Sequence, residues 1–556
     1  MYNNFSKTLP KNSHTEKLIK NVKTAAVSYL NSPIHSLKYS VYANNLKTGE
    51  RLAYEQIYTE HRKRLNVFLI MALYSPDEIY IKELCDILWA ICDEFTWCLP
   101  AHTYVVQGKK TISDFETAID LFAAETAFYL SETVYLVKDR IDSMVHNRVK
   151  SEVERRIINP YLSENLTWAK NNWSGVCASS IGISMIYFKM HDEFEKAKPK
   201  LLKSIDDFLE SYDNDGCCKE GALYWVYGFG FFCYFAELLN EYTNGKTNYF
   251  NLKKVKNIAH FGENIFLKNN HTIPFSDAPH ELNYNIGLFT LLSKKYGTHL
   301  PSFDNESLFG DDVRYRMCHM IRDFFWYDES LPASRDKTGF FCYLDAMWYI
   351  NKKENYSFAA KGGNNNEPHN HNDLGSFILY DNGKYIIDDL GWPVYEKDYF
   401  SPDVRYENLC ASSLGHSVFS FDNKEQITGD AGYAVLLEAT ENCFSLDLSA
   451  AYEPNKKITR TFLLSDKEIK ITDLLPFKAA ERFVTRLKPQ ILNSSTVKIE
   501  NWHISCNAPC KIEIQEKFFH PRNTIVKSSM KDTERAYLID FIPIKYNKNT
   551  EILISK

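Results

Sequence analysis

Two histidines and an aspartate alternate in the stretch Glu367-Pro368-His369-Asn370-His371-Asn372-Asp373-Leu374-Gly375-Ser376-Phe377. On an extended strand, residues i, i+2 and i+4 point to one face. His369, His371 and Asp373 would then form one polar row. Imidazoles and a carboxylate so arranged can bind a metal, move protons, or do both. Burying three such groups is costly unless each finds a partner. Two readings follow: a metal or proton-transfer site, or a hydrogen-bonded polar row at a domain interface.

The next turn decides which aspartate joins the histidines. Two apolar runs, 376–380 and 384–388, flank Asp381-Asn382-Gly383. A two-residue Asn-Gly turn pairs 381 with 384 and brings Asp388 to the face of His371. A three-residue turn, with Gly383 in the left-handed bulge position, pairs 380 with 384 and brings Asp389 instead. Glycine at the third position favours the bulged turn, so Asp389 is the better ligand candidate. A third candidate, His416, follows in Ser413-Leu414-Gly415-His416-Ser417. Two imidazoles and one carboxylate make a common zinc set, leaving a position for water or an asparagine. Taken alone, His416 would read as an ordinary core histidine.

The elements that must position these groups fall into two kinds. At 556 residues the chain exceeds one ordinary core, so two or more domains are expected. The first ~300 residues carry helical periodicity. Ser75-Pro76-Asp77-Glu78 reads as a helix start, followed by Ile81, Leu84, Leu88, Ile91 and Phe95 on one face. Ser113-x-x-Glu116 reads as a capping box. Further helices are expected over roughly 147–160, 172–190, 197–211 and 220–241. From ~335 onward, short alternating runs such as Ile458–Leu464 and Glu468–Leu474 alternate with turn residues. The expected fold is α+β and multidomain: a helical domain over 1–305, a connection over 306–335, and an antiparallel β-sandwich over 336–556, with a cleft between the halves.

Composition excludes several function classes. The net charge of −6 offers no global basic field for nucleic acid or a membrane surface. Met1 to Lys7 lacks the apolar core of a signal peptide, and the uncharged stretch Gly221 to Ala236 is too short to span a bilayer. The 13 cysteines include no Cys-x-x-Cys pair and read as thiols in a reducing cytosol, so a cytoplasmic location is expected. Aromatic residues reach 14%, fitting either large aromatic cores or a sugar-binding cleft. Nothing in the chain speaks against a homodimer.

Three helical patches complete the pattern. They are Asp93-Glu94-Phe95-Thr96-Trp97-Cys98-Leu99-Pro100-Ala101-His102, then Asn171-Asn172-Trp173, then Asp215-Gly216-Cys217-Cys218-Lys219-Glu220-Gly221-Ala222-Leu223-Tyr224-Trp225-Val226-Tyr227-Gly228. Tyr224 and Tyr227, three apart, would share a helix face. Each patch alone is weak. Together with His369 to Phe377, Asp389-Leu390-Gly391, Tyr399-Phe400-Ser401, Arg405-Tyr406-Glu407 and Ser413-x-x-His416, their order resembles the heparinase II/III-like family of polysaccharide lyases. The resemblance covers about residues 80–480.

That resemblance implies an N-terminal α/α toroid, a C-terminal β-sandwich and β-elimination at C4–C5 of a uronic acid, a carbon–oxygen lyase reaction on an anionic oligosaccharide or polysaccharide. The uronate carboxylate must be neutralised, the C5 proton taken and the leaving oxygen protonated. Asn172 suits the first task, Tyr224 looks like the family's catalytic tyrosine, and His369 like its sandwich-domain histidine. His371, Asp389 and His416 resemble the ligands of one structural zinc ion. Several relatives carry a histidine directly after the asparagine; here Trp173 stands there, with His102 or His61 as replacements. Trp173, His102, Tyr227 and Arg405 are the expected substrate-binding residues, and Arg460 is a second carboxylate or sulfate candidate. The rivals are a metal-dependent hydrolase, which would have a histidine where Leu374 stands, and a non-catalytic carbohydrate-binding protein on the same fold.

Overall fold

The computed structural model describes residues 5–103, 106, 112–301, 307–312, 314–331, 338–394, 399–421, 424–521 and 533–556. Helices run from Ser13–Leu30 to Met317–Phe325, and antiparallel strands follow from Gly339 to Ser555. The expected order, helices and then sheets, is the observed one.

Short polar side chains set the helix starts, though not always those expected. Asp77, not Ser75, caps Glu78–Cys92 by accepting from the Ile79 amide. Asp120 caps Leu121–Val137, placing that start beyond the Ser113 box. Asn171 caps Asn172–Tyr187 by accepting from the Trp173 amide at 3.0 Å. The helix expected from 197 begins at His191 and carries Pro199 inside it.

The stretch read as a connection holds a further helix, Met317–Phe325. Its Arg322 is wholly buried and pairs with Glu132 at 2.8 Å, while Asp323 accepts from the Gly287 amide. Helical structure therefore continues to Phe325; residues 306, 313 and 332–335 of that stretch lie outside the described residues. The apolar segment Ala222–Tyr242 is the one described helix long and apolar enough to cross a membrane, and 83% of its most apolar window is buried within the protein.

The strands form a five-stranded sheet in the order Gly339–Tyr343, Trp348–Lys352, Ser357–Lys361, Phe377–Asp381, Lys384–Ile387. An eight-stranded sheet runs from Gln490–Asn493 to Val435–Thr440, beside a four-stranded one. The five-stranded sheet is apolar on both faces. Tyr349, Phe358, Phe377 and Leu379 join the sandwich core, whereas Trp348, Ile350, Ala359, Ile378 and Tyr380 join the core of the helical domain. The period-two alternation of a strand makes this sorting automatic. Trp348 meets Phe275 edge-on at 5.2 Å between centroids. The seam is closed by polar contacts too: Lys352 donates to the Phe266 carbonyl at 2.8 Å and Tyr385 to the Thr272 carbonyl at 2.7 Å.

Candidate active site at the domain seam

Asn172 opens its helix and donates to Glu220 at 2.8 Å. The neighbouring Gly228 has no room for a side chain: a Cβ there would lie 2.3 Å from the Asn172 amide oxygen. Tyr224 ends the short helix Ala222–Tyr224, directly before a π turn over Trp225–Phe229. Such wide turns concentrate at functional sites because they re-aim the residues around them. Trp225 is buried and donates to the Ile258 carbonyl at 2.8 Å, anchoring the turn. Across the seam, the Tyr224 ring stacks on His369, with centroids 4.2 Å apart. His369 Nε2 lies 3.7 Å from Glu220. Thus Asn172 and His369, 197 positions apart (369 − 172) in sequence, converge on the Glu220 carboxylate, with Tyr224 stacked on His369.

The motif carrying His369 is a loop rather than a strand. His369 has φ +58°, a left-handed conformation uncommon outside glycine. The alternation therefore does not place three side chains on one face. Asp373 instead forms a buried ion pair with Lys361 at 2.9 Å. The carboxylate that serves the histidines is Asp277, which sequence reasoning missed. Its Oδ2 accepts from His369 Nδ1 at 2.7 Å, and its Oδ1 accepts from His371 Nε2 at 3.1 Å and from the Tyr399 hydroxyl at 2.9 Å. Asp277 lies 92 residues before His369, in a segment with no periodicity to mark it.

His371, Asp389 and His416 are fully buried, and one ligand atom from each lies within 4.8 Å of the others. His416 meets Asp389 through Nδ1 at 3.0 Å and gives Nε2 to the Cys410 carbonyl at 2.8 Å. His371 is likewise held through Nε2 by Asp277, while its buried Nδ1 has no hydrogen-bond partner. Both imidazoles thus have one nitrogen fixed by an oxygen acceptor, as metal-binding histidines do. The orphaned Nδ1 is what a metal ion would satisfy. Burial lowers the pKa of His371, favouring the neutral ring that ligation requires.

Asp389 reaches this cluster by a route other than the one expected. The hairpin has a two-residue turn, with Asp381 opposite Lys384 and positive φ at Asn382 and Gly383. The bulge lies further along: Tyr380 faces Tyr385 but Leu379 faces Ile387, so Ile386 is the extra residue. That shift turns Asp389 toward His416 and leaves Asp388 to His280 at 2.8 Å and Arg486 at 3.0 Å.

The expected substrate-binding residues separate into two groups. His102 lies 5.1 Å from the Trp173 ring between centroids and is oriented by Asp120 at 2.8 Å. His61 is buried against Glu94 and the His35 carbonyl, so of the two only His102 is placed beside Trp173. Tyr227, within the π turn, is buried; its hydroxyl donates to Glu125 and Arg316 covers its ring at 4.1 Å. Arg405 is also buried: Nε and Nη2 donate to the Asn370 carbonyl, and Nη2 reaches Asp277 at 3.4 Å. These groups organise the histidine loop rather than present a cation to a ligand. Arg460 is a core ion-cluster residue, held by Asp473 and Glu481. An unexpected aromatic, Phe400, is 57% exposed and sits edge-on to His369 at 5.4 Å.

Electrostatics distinguish the carboxylates. Burial pushes the Glu220 pKa up, against the opposing pull of His369 and the Asn172 amide. Burial also raises Glu367 to about 7, despite Lys361 and Lys219 nearby. Asp277 is buried as well, but hydrogen bonds from His369 and His371 outweigh the desolvation and hold it well below the usual range.

The fold of helices followed by antiparallel sheets is shared with solved structures. The chain matches Heparinase III with a TM-score of 0.68 and 13% identity, over 100% of this chain and 86% of that one. It matches heparan sulfate lyase HepC from Pedobacter heparinus with a TM-score of 0.61 and 14% identity, over 100% and 86%. Chondroitin AC lyase from Streptomyces coelicolor, solved with chondroitin sulphate, gives a TM-score of 0.58 and 8% identity, over 98% and 79%. No curated protein sequence matches. Residues 336–548 match the family model Heparinase II/III-like, C-terminal.

Proposed function

We propose that the protein is a lyase cleaving uronic-acid-containing glycans by β-elimination. The observation that carries this reading is the convergence of Asn172, Tyr224 and His369 on the seam, with the Tyr224 and His369 rings 4.2 Å apart. Elimination removes H5, forms the C4–C5 double bond and breaks the bond from C4 to the bridging oxygen, which leaves with a proton. The electron pair from C5–H passes transiently onto the uronate carboxyl, so that group must be neutralised. The Asn172 amide, held by Glu220, would donate there. Tyr224 and His369 provide the two proton-transfer groups on the reacting side. The face of the uronate that carries H5 determines which of them takes it. Trp173, His102 and Phe400 supply ring faces against which a pyranose can lie.

His371, Asp389 and His416 fit a single zinc ion by donor type, burial and the orphaned His371 nitrogen. When bound, zinc would supply a fixed cross-link among three loops; proton transfer stays with the groups facing the sugar. Glycosaminoglycan-type and alginate-type uronides are the substrate classes to examine, with short chains in the cytoplasm as the setting. A panel of such oligosaccharides is followed by the absorbance of the conjugated C4–C5 double bond. Signal growth with at least one uronide is expected; none with any member sinks the reading. Metal analysis of purified protein should find one zinc per chain.

A further inference from the structure

One carboxylate from the helical domain serves both histidines of the sandwich domain. Asp277 is fully buried, and its two oxygens are divided: Oδ2 takes His369 Nδ1 at 2.7 Å, and Oδ1 takes His371 Nε2 at 3.1 Å. An ionised carboxylate only accepts, so each imidazole must donate to it. That fixes His369 with its proton on Nδ1 and its Nε2 turned to the Tyr224 and Glu220 side. It fixes His371 with its proton on Nε2 and Nδ1 turned to Asp389 and His416. Tyr399 and Arg405 also reach Asp277, at 2.9 Å and 3.4 Å. Ser276, immediately before it, has φ +64°, so the backbone is bent out of its preferred range to deliver this group.

We propose that Asp277 is a positioning residue that sets the tautomers of His369 and His371 together, so that the reacting imidazole and the metal-ligand trio share one buried anchor. The proposal rests on the lyase reading for its kinetic consequence and is independent of it for its tautomeric one. A carboxylate hydrogen-bonded to the far nitrogen of a working histidine contributes through orientation: replacing it by the amide leaves the shape but permits the wrong tautomer. For a metal-binding histidine the same loss weakens the metal.

The test compares wild type with Asp277→Asn. The variant should lose about 10²–10³ in kcat with KM changed by less than about 3-fold. Its affinity for zinc, measured by competition with a chelator, should fall by about 10-fold or more. In protein labelled with ¹⁵N-histidine, His369, assigned through His369→Gln, should carry its proton on Nδ1 in wild type and lose that preference in Asp277→Asn. Turnover within about 3-fold of wild type, or a KM rise that accounts for the whole loss, overturns the positioning role. Unaltered zinc affinity overturns the shared anchor. If Asp277→Asn does not fold, the wild-type spectrum decides alone: a His369 ring without a proton on Nδ1 refutes the assignment. Should no uronide be cleaved by wild type, the lyase reading falls, while the tautomer and zinc measurements still judge Asp277.

Discussion

His369 and His371 stand two residues apart and lean on the same carboxylate, yet they occupy opposite surroundings. The His371 side chain is fully enclosed with Asp389 and His416, whereas that of His369 remains 18% exposed between Tyr224 and Phe400. The dry side has its donors turned inward and nothing for a sugar to touch. The wet side has the rings of Tyr224 and Phe400 and, in the proposed reaction, the proton-transfer pair. One short motif thus divides into a buried part and a part open to solvent, the proposed holding and reacting sides, and the division is made by a loop with a left-handed residue, not by strand alternation.

Substitutions on the two sides should separate cleanly. On the reacting side, Tyr224→Phe removes only a hydroxyl; kcat should fall by about 10³-fold or more, with a melting temperature within about 2 °C of wild type. Undiminished turnover would falsify the assignment. On the holding side, Asp389→Ala leaves His416 buried without its carboxylate and should cost about 3–5 kcal/mol of stability. Chelation should lower the melting temperature of wild type but not of this variant; equal responses break the comparison. Glu367→Gln tests the ground between them. A carboxyl whose folded pKa lies above its unfolded value holds its proton more tightly when folded. Stability should therefore fall as pH rises from about 4.5 to about 7 and level off beyond. The glutamine variant should lack that slope, so its stability relative to wild type should be about 1–3 kcal/mol higher at pH 8 than at pH 5, read by denaturant unfolding. The smallest effect is expected for Trp173→Ala: a KM increase of about 10-fold with kcat changed less, the signature of lost ring contact.

The family pattern and the α-then-β order were legible because they rest on residue types in sequence order and on local periodicity. The proximity of Asn172, Tyr224 and His369, and of His371, Asp389 and His416, was legible in the same way. Asp389 does lie beside His371 and His416, but by another route: Gly383 promised a bulge in the turn, whereas the extra residue is Ile386, in the strand beyond. Bulge position depends on what the strand packs against, which no local signal carries. Asp277 was invisible because its partners come from the other domain. Arg405 and Tyr227 misled because charge and aromaticity do not reveal burial; each is engaged inside the protein. The three-residue spacing of Tyr224 and Tyr227 also presumed an ordinary helix where a π turn intervenes.

The five-stranded sheet with two apolar faces has a consequence for how this chain can be divided. The segment that matches the family model starts at 336. Cut there, it would present Trp348, Ile350, Ile378 and Tyr380 to water, a contiguous apolar surface of the sort that drives aggregation. The two halves are accordingly one cooperative unit: a single calorimetric transition is expected for the whole chain, and insolubility for the isolated sandwich. What reads as a modular boundary in sequence is, in thermodynamic terms, the middle of a core.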